Sequence, residues 1–233
     1  MITVNLGSWS ASIDPSSGWS LEGLTNDGDD IMEVNLSTNG SVFRIDDVWS
    51  GGEHGNASYV LHSSYEDDGR VELVDGVTLS PSTLFMMTKQ VLYKDAIETT
   101  ETFTITAETI SETINVRRAY TTENVQVAYV HLGTRPNSFT NVAMYAGDPT
   151  TSVFTATTNS NDDTTTTEQA GITRVTQYDP VAGITIETSV SHGVHSFVWD
   201  RSLDNKLYFN AKDILGTGLN AWQSTQTIRV IRD

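Results

Sequence analysis

Trp49, Glu53 and His54 fall in one short glycine-rich segment, residues 49–55 (WSGGEHG). Their types suit carbohydrate chemistry. An indole offers a broad apolar face with one polar edge, a carboxylate or imidazole can pass a proton, and glycines let backbone approach a ligand closely. A glycine-rich connection carrying a solvated histidine would read the same way, so both readings stay open. A second cluster, residues 26–30 (NDGDD), gathers Asp27, Asp29 and Asp30 in a turn. Hard oxygen ligands of this kind suit calcium, although the helix–loop–helix calcium pattern is absent. Solvated acidic turns are the alternative, and residues 66–68 and 161–163 share that character.

Other chemistries fail on residue type or spacing. His192 and His195 would point to opposite faces of a strand, and no third ligand follows at zinc spacing. His131 lies in an apolar run and reads as a core or half-buried side chain. The chain has no cysteine, which removes thiol nucleophiles and disulfides. A Gly-x-Ser-x-Gly elbow and a phosphate-cradling glycine loop are both missing. With 30 Asp+Glu, chance carboxylate pairs abound, so no glycosidase pair stands out.

The elements that must position these residues have a period of two. Phe103, Ile105 and Ala107 alternate with Thr102, Thr104 and Thr106, and Ile184, Ile186 and Val190 with Thr185, Glu187 and Ser189, as half-buried strands do. Ile228 and Val230 alternate likewise with Thr227 and Arg229. Residues 125–132 (VQVAYVHL) are continuously apolar and predict a central strand covered on both faces. Turn dipeptides such as Asp27-Gly28, Asn39-Gly40, Asp75-Gly76 and Asp179-Pro180 punctuate the runs. The pattern predicts an all-β chain of roughly fourteen to sixteen short strands in an antiparallel two-sheet sandwich, supersandwich or jelly-roll-like. Helix is confined to one turn near residues 80–84 and another near 210–215. No composition shift divides residues 1–233, which read as one domain. Residues 155–169 form an exposed polar Thr/Asp-rich loop without core-facing residues.

Charge bounds the partners. The 233 residues carry 13 Lys+Arg against 30 Asp+Glu, a formal net charge of -17. Such a surface repels phosphate backbones and anionic lipid, and no apolar stretch is long enough for a membrane-spanning helix. Nucleic acid and membrane insertion are therefore not expected.

Several segments resemble the galactose-mutarotase-like β-supersandwich. Residues 18–28 (GWSLEGLTNDG) resemble its opening hairpin. Leu215-Gly216, Trp222 and residues 225–230 (TQTIRV) resemble its closing turn and strand, and residues 101–105 and 119–124 have the look of its paired strands. The resemblance implies a sandwich that touches glycans. The Asn-His and His-Pro pairs of the epimerases do not appear, so no catalytic residue carries over.

These observations lead to an expectation of a non-enzymatic structural module. The module is a capsid-decoration, tail or spike component of a virion from a salt-adapted host, working with other subunits or as a homo-oligomer. The basis is the acid excess, the Thr-rich β body, and the lack of an export signal or catalytic motif. Virion or extracellular surface is the expected location, with the cytoplasm left open. The alternative is a carbohydrate-binding or carbohydrate-active protein, mutarotase-like or lyase-like, using Trp49, Glu53 and His54. A calcium-dependent adhesion module is the second alternative. No cofactor is expected beyond calcium.

Overall fold

Alternating burial builds the architecture. The computed structural model describes residues 1–32, 40–51, 54–119, 125–134, 138–158, 163–201, 205–210 and 222–233. In β10 (Leu84–Tyr93) and β11 (Ile97–Thr106) every second side chain is buried. Phe85, Met87, Val91 and Tyr93 thus share one face with Ile97, Phe103 and Ile105. The same parity carries Lys89 and Glu101 inward, directly opposite each other.

Two sheets result. The smaller is a meander of β4 (Asp29–Met32), β3 (Ser20–Asn26), β2 (Trp9–Asp14) and β1 (Ile2–Leu6), to which β9 (Thr78–Leu79) adds in parallel. The larger starts at β6 (Val48–Ser50), β5 (Gly40–Ile45), β13 (Val125–Thr134) and β19 (Asn205–Asn210). It continues through β18 (Ile184–Asp200), β20 (Trp222–Arg232), β12 (Ile110–Ala119), β11 and β10. It ends at β7 (Ala57–Glu66) and β8 (Gly69–Arg70). Strands β17 (Gln169–Asp179) and β16 (Thr164–Thr165) also pair β18, while β14 (Asn141–Tyr145) joins β17 to β15 (Phe154–Thr157).

The main core lies between the sheets, where Ile2, Val4, Leu6 and Ile13 meet Phe85, Phe103, Ile105, Ile110, Ile186 and Ile228. A second core forms where the β5–β6 hairpin packs on β10–β12, with Phe43 against Tyr93 at 4.5 Å between centroids. A third lies among β14, β17, β18 and β19.

The all-β two-sheet sandwich holds, and residues 125–132 sit between β5 and β19 as a central strand. Residues 80–84 are not helical. Asp67 captures that turn instead: its carboxylate accepts from the Ser82 and Thr83 amides and hydroxyls and from the Leu84 amide, all at 2.7–3.0 Å. The helical turn found is Pro15–Ser17, capped by Asp14. Of residues 210–215, Asn210 closes β19 and the rest lie outside the described residues. The polar segment 155–169 begins and ends in strand, and its Thr158 is buried under the Asn205 side chain, which donates to the Thr158 carbonyl at 3.2 Å. Strands of two residues, such as β8, β9 and β16, leave no periodic signal, so the strand count exceeds the sequence expectation.

Candidate functional site

The β5–β6 hairpin positions Trp49. Asp46 and Asp47 both hold positive φ, 45° and 65°, the conformation of a two-residue primed turn. This register puts Arg44 opposite Trp49. The Asp47 carboxylate accepts from Arg44 at 2.8 Å, and the guanidinium carbon lies 5.7 Å from the Trp49 ring centroid. His54 stacks on the same indole at 5.3 Å and 23°. Gly51 is required here: at φ 96° a Cβ would stand 2.6 Å from the Tyr93 ring. The structure therefore brings Trp49 and His54 together, whereas Glu53 lies outside the described residues. The indole already carries an imidazole and a guanidinium, so a sugar would have to displace one of them.

The acidic turn has an occupant within the chain. Arg232 donates to Asp29 at 2.7 Å, lies 3.4 Å from Asp27, and donates to the Asn26 carbonyl at 2.6 Å. Asp30 is exposed beside them. Among the described residues, no group of three His, Asp or Glu is arranged to hold a metal.

Two further constellations emerge from pairing that sequence reading missed. The first is one face of the β18–β19 hairpin. Opposite residues in an antiparallel pair share a face, and the register sets His195 opposite Asn210, Phe197 opposite Tyr208, and Trp199 opposite Lys206. Phe197 and Tyr208 stack at 4.8 Å and 14°. Arg201 places its guanidinium 4.8 Å from the Trp199 centroid, and the His195 Nδ1 lies 3.5 Å from the Glu168 carboxylate. Phe197 and Trp199 are half-buried; Trp199 is not the core residue its strand suggests. Lys206 and Asn210 are buried. The face thus combines aromatic rings with cationic, amide and imidazole groups. The sequence signal was faint: residues 194–200 and 205–210 are apolar-rich runs separated by a turn-length gap, without the strict alternation that would assign their faces.

The second is interior. Lys89 and Glu101 pair at 3.4 Å with side chains 6% and 1% exposed. Glu101 also accepts from the Tyr93 hydroxyl at 2.5 Å and the Thr99 hydroxyl at 2.9 Å. Burial and Glu101 push Tyr93 well up. Glu112, half-buried on β12, is raised to about 7, first by desolvation and then by Glu101, with Lys89 opposing. A cavity of about 30 Å³ adjoins Lys89, Glu101, Glu112, Gln226 and Trp19. That volume suits water rather than a sugar ring.

No known family model matches the chain, and no curated protein matches it. Solved structures do. One is a provisionally assigned aldose 1-epimerase from Escherichia coli K12, at TM-score 0.59 and 13% identity, covering 100% of this chain and 99% of that one. A galactose mutarotase related enzyme from Lactobacillus acidophilus gives 0.59 and 8%, covering 98% and 96%. An alpha-N-acetylgalactosaminidase from Bifidobacterium bifidum gives 0.59 and 9%, covering 100% of this chain and 36% of that one. The chain has the galactose-mutarotase-like fold, as residues 18–28 and 222–230 suggested.

This overturns the expectation of a virion structural module. Its grounds were acidity and missing motifs, neither of which distinguishes one sandwich from another. The whole chain instead superimposes on proteins described as sugar enzymes.

Proposed function

We propose that this protein binds, and acts on, a pyranose sugar at the β18–β19 face. One observation carries the reading: Phe197, Trp199 and Tyr208 share that face with His195, Lys206 and Asn210. Ring faces are apolar and sugar edges are hydroxyl-rich, so a site needs flat aromatic contact bordered by placed polar groups. This face has both. The fold adds support, since the similar structures are described as an aldose 1-epimerase and a mutarotase-related enzyme.

Chemistry at an anomeric centre moves a proton on and off oxygen, which a group near neutrality can relay in both directions. His195, oriented by Glu168, is the proton-handling group of this proposal, and Trp199 is the platform. Lys206 and Asn210 fix hydroxyls. The Trp49–His54 stack is then a surface feature outside the site.

The test is a titration with galactose and glucose, followed by NMR, beside polarimetry of anomer interconversion. Shifts confined to β18–β19 and a rate that falls in His195→Ala support the reading. Trp199→Ala should weaken binding by on the order of tenfold, about 1.4 kcal/mol. Unchanged spectra with every neutral hexose would sink it.

A further inference from the structure

A separate groove of about 560 Å³ opens at the β7–β8 margin of the large sheet. Leu61, Val71 and Leu73 give it an apolar lining, and Trp19 forms part of the wall. His62, Arg70 and Glu72 are exposed around it. Its volume lies within the usual range for small-ligand sites, roughly 300–1,000 Å³.

Trp19 is held there against its backbone preference. Its φ is 62°, a region that costs a bulky residue on the order of 1–3 kcal/mol and survives only where surroundings impose it. The surroundings here are specific. The Trp19 amide donates to the Asp14 carbonyl at 2.9 Å. Gly18, before it, lies so close to Tyr59 that a Cβ would meet the ring at 2.5 Å. The Gly18 carbonyl accepts from the buried Lys89 ammonium at 3.1 Å. Asp14 caps the preceding turn through Ser16 and Ser17. The backbone that carries the indole is thus pre-set, which lowers the ordering cost of a ligand that stacks on it.

Charge gives the ligand its sign. The chain has 13 Lys+Arg among 30 Asp+Glu, and the arginines Arg44, Arg174, Arg229 and Arg232 are each engaged with a carboxylate. The Arg70 side chain makes no ion pair or hydrogen bond among the described residues, and neither does that of His62. A guanidinium is a fixed two-pronged donor for a carboxylate. Glu72 on the same rim can accept from hydroxyls.

We infer that this groove is a second ligand site that takes a pyranose bearing one carboxylate, a uronic acid, with its ring against Trp19 and its carboxylate on Arg70. The choice of a sugar over another flat anion rests on the carbohydrate reading above; the residues are different, so the two sites fail independently.

The experiment follows the indole N–H signals of the five tryptophans while glucuronate, glucose and benzoate are added in turn. Glucuronate should move the Trp19 signal, and glucose should move it at least tenfold less at equal concentration. Arg70→Gln, on an exposed two-residue edge strand, should abolish the response while leaving the melting temperature unchanged. Trp199→Ala should leave it intact, which separates this site from the β18–β19 face. Equal responses to glucuronate and glucose, or a response that survives Arg70→Gln, overturn the site. Benzoate matching glucuronate overturns its assignment to a sugar.

Discussion

The interior of β10–β12 and the outer face of β18–β19 use the same materials in opposite ways. Inside, Lys89 pairs with Glu101, which also accepts from Tyr93 and Thr99, within a core. Outside, Phe197, Trp199 and Tyr208 present rings whose neighbours are Arg201, His195 and Lys206. The interior set is closed, with a cavity only large enough for water. The outer set offers two half-buried rings, Phe197 and Trp199, that still lose surface on contact, beside the buried Tyr208. Perturbed titration therefore marks the interior.

The comparison breaks most sharply at Lys89. Lys89→Met leaves the Glu101 carboxylate buried without its cation and should cost about 3–5 kcal/mol, read by urea unfolding. The double change Lys89→Met with Glu101→Leu should recover much of that loss, because no isolated charge remains.

Glu112 sharpens the same contrast through pH. Its folded value, about 7, lies above the ordinary 4.5, so the folded state holds the proton more tightly. Its contribution is therefore full below about 4.5 and is lost as pH rises through about 7. Unfolding free energies measured across that window should fall with pH by roughly 3 kcal/mol at most. Glu112→Gln should flatten the slope. A slope that persists in the variant would place its source elsewhere.

On the outer face the expected stability effects are smaller. Trp199→Ala should cost less than the core substitutions while weakening sugar binding about tenfold, a split that calorimetry and titration together would read. Smallest of all is Arg44→Ala, whose exposed pair with Asp47 is worth about 0–1 kcal/mol. Its melting temperature should barely move, and sugar binding should not change.

Much of the sandwich was legible in the alternation of residues 102–106 and 184–190, because a strand buried on one face must repeat every second residue. Residues 125–132 were legible as a strand from their near-continuous apolar run, and they pair on both sides, with β5 and β19. The site was less so. Trp49 and His54 are neighbours in sequence and do meet in space, but adjacency found a surface stack. The β18–β19 face depends on which residues stand opposite across the hairpin, and a shift of one position would turn Trp199 and Tyr208 to the other side. Lys89 and Glu101 sit at inward parity within their strands, which was a visible signal. Arg232 reaching Asp29 across the chain had none.

Asp67 carries a consequence for the groove beside it. By gathering the donors of residues 82–84, this one side chain fastens the tip of the hairpin that bears His62 and Arg70 to the start of β10. Those donors hold its pKa well below that of a free carboxyl. Because the charged form is the bonded one, the fastening is complete above the ordinary carboxylate range and gives way only in strong acid. The turn that carries the β7–β8 margin is thereby held to β10 across all mild conditions, so that edge of the sheet keeps its place without help from the hydrophobic core.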